Sequence, residues 1–374
     1  MVERLHHMDG LRGVAAVVVV CFHLMSALTP GLVAEHGAGG SWVAHTPLAV
    51  LWNGKFAVAV FFVLSGFVVT NATLKRGDPI WIDVPIRYLR LAVPATLSVL
   101  FAWGLLNAFP NAATELAALT SSPWLAWTYQ DSIPGLRAAV YNGLIGIFAT
   151  GGSFFNNVLW TMRPELIGSI VCFVVCIFRS GRARIVAASA FAAVAVAAGR
   201  YEYTCFTLGI FLHEAWAAGR LPSARALPAL LAGLVIGSQS GNAAERLGFG
   251  RLPAALDTAD GGGLLYPLAA TLVVYGCMRY APAARALSGR IGRFLGAVSF
   301  PLYLLHAPLI YTVVASVYVA NFHKGFMLVV VVAGFFTALF ALSHLAERYV
   351  ERPLLNHLMR LRRNLAVAAL LRPS

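Results

Sequence analysis

Charge is what this sequence has least of: 11% of its 374 residues are Asp, Glu, Lys or Arg, against 59% hydrophobic residues and a mean hydropathy of +0.75. Soluble domains carry about a quarter charged residues, so this scarcity excludes a water-facing surface over most of the chain. Acidic residues are rarest, 15 against 28 Lys and Arg, for a formal charge of +13. Cysteine is also sparse: Cys21, Cys172, Cys176, Cys205 and Cys277 all fall in apolar stretches, which excludes a disulfide framework of the secreted kind. Cys172 and Cys176 share a helix face, but no His or carboxylate joins them, so no metal site is expected. No internal repeat or low-complexity tract interrupts the chain. The first apolar run, 13 to 22, leads into Phe22-His23-Leu24 without a small-residue cleavage site, so all residues are expected in the mature protein.

What the sequence does have is long apolar runs along its whole length. Lipid tolerates only helices and closed barrels as spanning structures, and these runs are too long for barrel strands. Windows of about 20 residues place spans near 11 to 29, 52 to 73, 88 to 109, 158 to 178, 183 to 200, 203 to 219, 223 to 240, 262 to 281, 294 to 320 and 325 to 347. The expected fold is all-α, a polytopic transmembrane bundle of about ten helices.

Orientation follows from the basic residues, which stay on the cytoplasmic side. With both termini cytoplasmic, the inner links hold Arg4 and Arg12; Lys75, Arg76, Arg87 and Arg90; Arg179, Arg182 and Arg184; Arg220 and Arg225; Arg279, Arg285, Arg290 and Arg293; and the tail from Arg348 to Arg372. The outer links hold only Arg137, Arg200, Arg246, Arg251 and Lys324. Positive charge is thus a topology signal and an attraction to anionic head groups. Without a compact basic fold, nucleic acid is excluded as a partner. The one long non-spanning segment, about 110 to 157, falls outside and reads as an external lid. Residues 356–374 read as a basic cytoplasmic tail suited to the inner membrane surface, after a transmembrane domain over 1–355.

Ionisable groups within spans are costly in hydrocarbon and call for a reason. His23 follows Arg12 by eleven positions, about 16 Å of rise and nearly three whole turns, so both side chains point in almost the same direction. This suits a cavity-lining face with a cation at the inner mouth and an imidazole at mid-depth. It also suits a structural His beside an Arg that reaches to lipid phosphate. His306 is expected at similar depth, and Glu165, after the helix-kinking Pro164, in the outer half of the fourth span; the three could converge. His213 with Glu214, and His344 with Glu347, lie nearer helix ends, where structural roles are expected. Trp160 and Arg163 suit interfacial anchoring. Arg87 and Arg90 share a helix face, beside Lys75 and Arg76, in a cluster that fits phosphate oxygens or the positive-inside rule alone.

In order along the chain, Met8-Asp9-Gly10-Leu11-Arg12-Gly13 with Phe22-His23, then Phe61-Phe62-Val63-Leu64-Ser65-Gly66-Phe67, then Arg87-Tyr88-Leu89-Arg90 with Pro94, then Leu159-Trp160-Thr161 with Glu165, then Leu302-Tyr303-Leu304-Leu305-His306, then Glu351-Arg352-Pro353 resemble the motifs of the acyltransferase-3 family of membrane acyltransferases. The resemblance covers about residues 5 to 355. The chain differs at Met8, where many relatives have Leu, and at Arg163-Pro164-Glu165, where they place two adjacent acidic residues.

The resemblance implies transfer of an acyl group, commonly acetyl, from an acyl-CoA substrate to a hydroxyl of a carbohydrate, glycolipid or secondary metabolite, with no tightly bound cofactor. Arg87 and Arg90 would hold the CoA phosphates, with Arg12 near the mouth. His23 would act as general base, since its ordinary pKa lies near neutrality, or as a covalent acyl carrier. Asp9 would orient Arg12 or cap the first helix; Ser65, Glu165, Tyr303 and His306 would orient the acceptor or the base. The expected location is a bacterial inner membrane, as a multi-pass protein. A transporter or flippase with a polar midplane cavity is the alternative, and a sensor or scaffold without chemistry leaves the ordered motifs unexplained.

Overall fold

The protein is described by a computed structural model covering residues 5–33, 41–128, 132–239, 256, 263–322 and 324–370; Arg4, Arg246, Arg251 and Arg372 lie outside the described residues. The structure is 85% helical, with no strand among the described residues. In chain order the helices are α1 (His6–Leu28), α2 (Gly54–Arg76), α3 (Ile80–Ala108), α4 (Ala112–Thr120), α5 (Pro123–Thr128), α6 (Leu136–Ala149), α7 (Met162–Cys176) and α8 (Gly181–Ala197). They continue as α9 (Thr204–Ala217), α10 (Ala226–Gly237), α11 (Leu265–Arg279), α12 (Ala281–Leu287), α13 (Arg290–Leu309), α14 (Ala315–Ala320), α15 (Met327–Ala346) and α16 (Arg352–Leu370).

Six helices among the described residues are long and apolar enough to cross a membrane: α1, α2, α3, and the continuous stretches Asn157–Cys176, Arg290–Ala320 and Met327–Ala368. They coincide with six of the expected spans. The other four expected spans form shorter helices, α8 to α11, of 17, 14, 12 and 15 residues. At 1.5 Å per residue, a 14-residue helix rises about 21 Å, short of a hydrocarbon core of about 30 Å. The segment expected as an external lid carries three helices, α4, α5 and α6. The C-terminal segment forms helix α16, which follows α15 directly through a π turn at Glu347–Glu351. Arg352 donates to both carboxylate oxygens of Glu347 across that turn.

Two compact units are built from interleaved segments: Met1–Val19, Trp42–Pro85 and Pro164–Ala297 form the first, and Val20–Ser41, Ile86–Arg163 and Val298–Ser374 the second. In the first, α2 packs on α9 and α11, with α10 on α11 and α8 on α9. Glycine permits the close crossing of α2 and α9: a Cβ at Gly66 would overlap the Phe206 backbone, and one at Gly209 the Val63 carbonyl. This is how helices gain contact in lipid, where van der Waals packing replaces the hydrophobic effect. Asn53 caps α2 by accepting from the Phe56 N–H at 3.0 Å, and Gly77 ends it at φ 68° in the left-handed region. Arg184 grips Glu214 through two hydrogen bonds, at 2.7 and 2.9 Å, and also donates to the Phe178 and Arg179 carbonyls at 3.0 Å. His213 faces the same carboxylate at 3.3 Å, so this pair serves the structure of the α8–α9 packing.

In the second unit, α4 packs on α5 and α14. The α4–α5 turn completes the C-terminal end of α1: Thr120 Oγ1 donates to the Ala27 carbonyl at 2.8 Å, and Ser122 Oγ to the Ser26 carbonyl at 2.6 Å. These carbonyls belong to the last helical turn, which lacks helical donors. A second such substitution occurs inside α13. Pro308 has no N–H to give the Leu304 carbonyl four residues back. Ser98 Oγ of α3 and Asn156 Nδ2 donate to that carbonyl instead, at 2.8 and 2.9 Å. The helix then passes through a π turn, Ile310–Val314, before α14.

This replacement predicts a coupled stability effect. Ser98→Ala/Asn156→Leu leaves the Leu304 carbonyl buried without a donor, at a cost of about 1–3 kcal/mol. Adding Pro308→Ala supplies the missing N–H and recovers part of the loss. Thermal unfolding of the three proteins in one detergent measures both steps; no recovery in the triple variant contradicts the account.

Candidate functional site

The second unit joins two histidines 283 residues apart in sequence. His23 projects from α1 and His306 from α13, and His306 Nε2 lies 3.1 Å from His23 Nδ1. His306 is wholly buried and His23 partly so. Glycines set the approach of α1 to α12 and α13 within the first unit: a Cβ at Gly10 would overlap the backbone at Leu287 of α12, one at Gly13 the backbone at Leu295 of α13, and one at Gly296 the backbone of Asp9. His23 follows Gly13 by ten residues, as His306 follows Gly296.

The hydrogen-bond chain has a fixed sense. His306 Nδ1 lies 3.2 Å from the Leu302 carbonyl oxygen. A carbonyl can only accept, so Nδ1 of His306 carries the proton. In a neutral ring its Nε2 then holds the lone pair and accepts from His23 Nδ1–H. With the His23 proton on Nδ1, its Nε2 holds a lone pair. The relay therefore presents His23 Nε2 as the basic atom, and a proton gained there leaves charge that Nδ1–H shares with His306.

Aromatic rings frame the relay. Trp124 of α5, 5% exposed, packs its ring 4.9 Å from that of His23, and Phe22 meets His23 edge-on at 4.9 Å. Tyr303, one turn before His306, packs against it at 5.8 Å. Its hydroxyl donates to the Val158 carbonyl at 2.6 Å and shares a hydrogen bond with Thr161 Oγ1 at 2.9 Å. Tyr311 adds a hydrogen bond to the Phe155 carbonyl. The stretch 155–161 is thus fastened to the helix that carries His306 at three hydroxyl or amide groups, those of Tyr303, Tyr311 and Asn156.

The other expected site residues fall as follows. Arg87 and Arg90 lie three apart on one face of α3, Arg87 half-buried and Arg90 exposed. Between them, the Tyr88 hydroxyl donates to the Leu144 carbonyl at 2.6 Å and its ring meets Phe148 edge-on, tying α3 to α6. Arg163 Nη1 donates to the Thr150 carbonyl at 3.4 Å, and Trp160 is exposed. Arg12 forms an ion pair with Asp9 at 3.7 Å in the first unit. Also in the first unit, Ser65 Oγ donates to Glu165 Oε1. Among the described residues, no group of three His, Cys, Asp or Glu is arranged to hold a metal.

Sequence reasoning missed Ser98, Asn156 and Trp124, and named Thr161 only as part of the Leu159-Trp160-Thr161 motif. Pro308 carried one usable signal, because a proline inside a helix frees a carbonyl that must find a donor. Nothing in the spacing identified which residues would supply it.

With hydrogen on Nδ1, a neutral His23 carries its lone pair on Nε2, a tautomer suited to general-base activation of a hydroxyl. No curated protein and no solved structure matches the chain significantly. A family model described as an acyltransferase domain matches residues 5–346, nearly the whole chain. The protein belongs to the acyltransferase-3 family of membrane acyltransferases.

Proposed function

We propose that the protein transfers an acyl group, acetyl in the simplest case, from acyl-CoA to a hydroxyl of a carbohydrate, glycolipid or secondary metabolite. The observation that carries this reading is the chain from the Leu302 carbonyl through His306 to His23. A hydroxyl attacks a thioester slowly until a base removes its proton, and His23 Nε2 takes that role. As the acceptor oxygen bonds to the thioester carbon, its proton passes to Nε2; the departing CoA thiolate then takes that proton. Between the two transfers His23 is a cation, which its Nδ1–H shares with the His306 lone pair. Tyr303 positions His306 through ring contact.

Arg87 and Arg90 are assigned to the donor's phosphates, since two guanidinium forks on one helix face match phosphate oxygens. Membership in an acyltransferase family leaves the transporter or flippase reading without support.

The proposed setting is a bacterial inner membrane, crossed about ten times with both termini cytoplasmic, an orientation that the clustering of Lys and Arg supports. Labelling of an Arg363→Cys variant by a membrane-impermeant thiol reagent tests the orientation. Reaction only from the cytoplasmic face is expected, and reaction only from the outer face contradicts it.

Purified protein in nanodiscs, supplied with labelled acetyl-CoA, tests the chemistry. His23→Ala is expected to lower turnover by about 10²–10⁴ while still binding donor, the range for losing a general base. Arg87→Ala/Arg90→Ala is expected chiefly to raise the KM for acetyl-CoA. If folded wild-type protein neither binds nor consumes any acyl-CoA, with or without acceptors, the reading is wrong.

A further inference from the structure

One buried hydroxyl in the second unit has no use in the relay. Ser26 is 0% exposed, yet its Oγ makes no hydrogen bond. A helical serine commonly turns its hydroxyl back to a carbonyl three or four residues earlier. Ser26 does not, although its own carbonyl is taken by Ser122 Oγ at 2.6 Å. An unpaired buried hydroxyl is destabilising, and such groups in a folded protein call for an explanation.

The position supplies one. Ser26 follows His23 by three residues on α1, so the two share a helix face. Helical side chains lean toward the N-terminus, which brings the Ser26 hydroxyl toward the turn carrying the imidazole. The segment that holds the Ser26 carbonyl, at Ser122, also carries Trp124 against the His23 ring. An uncommitted O–H donor therefore stands one helical turn from the His23 imidazole, shielded from water.

Acyl transfer needs a donor of this kind. When the acceptor oxygen attacks the thioester carbon, the carbonyl π pair moves to oxygen, and a fixed hydrogen-bond donor at that oxygen lowers the barrier. We infer that the Ser26 hydroxyl is a catalytic residue that donates a hydrogen bond to the thioester oxygen as it becomes an oxyanion. The inference rests on the acyl-transfer reading above. In the step, the acceptor O–H bond breaks as His23 Nε2 takes the proton and the new C–O bond forms. Ser26 keeps its own proton throughout. Collapse of the oxyanion restores the C=O bond and breaks the C–S bond, and the CoA thiolate receives the proton from His23. A hydroxyl left unsatisfied in the resting protein is thereby satisfied in the transition state, which is differential binding in favour of catalysis.

The test compares wild type, His23→Ala and Ser26→Ala in nanodiscs, following thiol release from acetyl-CoA together with thermal unfolding. For Ser26→Ala, kcat is expected to fall by about 10²–10³, the size of effect seen on removing one oxyanion donor. The KM for acetyl-CoA and the pH profile of kcat are expected to hold, and Tm to stay level or rise, because the substitution removes an unpaired buried hydroxyl. Wild-type kcat in Ser26→Ala overturns the inference and leaves the base assignment standing. A fall in kcat accompanied by a fall in Tm assigns Ser26 a structural role and overturns it too. If wild-type consumption of acetyl-CoA is absent or independent of His23, the acyl-transfer reading fails and this inference falls with it.

Discussion

A backbone carbonyl facing an imidazole nitrogen leaves that nitrogen one option, to carry the proton. At the Leu302 carbonyl, 3.2 Å from His306 Nδ1, this sets the tautomer of His306, and through the 3.1 Å contact of the two rings it sets that of His23. The direction of the relay follows from a main-chain atom that cannot titrate. Such a device suits the interior of a membrane protein, where a buried carboxylate in the orienting position would bring a charge with a large desolvation cost. It fixes the ring tautomers without adding a charge.

The helix bearing His306 is strongly constrained. Pro308 opens its hydrogen-bond ladder, and Ser98 and Asn156 close the gap from outside. Tyr303 and Tyr311 fasten it to the stretch 155–161. Every one of these polar contacts is buried, where a satisfied hydrogen bond rigidifies and an unsatisfied one is penalised. The position of His306 is therefore held by groups that would each be destabilised if it moved. Ser26 stands outside this set of contacts: its buried hydroxyl makes no hydrogen bond, as Asn156 Oδ1 and Asn157 Oδ1 also make none.

Much of the architecture is legible in the sequence. Helices α1, α2 and α3 announce themselves as long apolar runs, and α2 ends in Lys75-Arg76-Gly77, a basic last turn before a left-handed cap. The shorter helices α8 to α11 read as full spans because apolar loops and helix ends extend their windows; hydropathy reports polarity, and helix length depends on where glycine and proline fall, as at Gly199, Gly219 and Pro222. That His23 and His306 stand within long apolar helices is likewise legible from the sequence. Their pairing is less so, because a contact 283 residues apart in sequence depends on how α1 and α13 cross, which Gly13 and Gly296 allow without specifying. The partners of Leu304 were out of reach because Ser98 and Asn156 stand in no sequence relation to it.

The most direct test of this account is the position of the ring protons. Nitrogen-15 spectra of protein labelled at histidine ring nitrogens, with His23 and His306 assigned by substitution, distinguish protonated from lone-pair nitrogens. The account predicts both rings in the form with hydrogen on Nδ1, with the His23 Nδ1 hydrogen coupled to His306 Nε2. Hydrogen on His23 Nε2 in the neutral protein would contradict it, because the atom assigned as base would already be occupied.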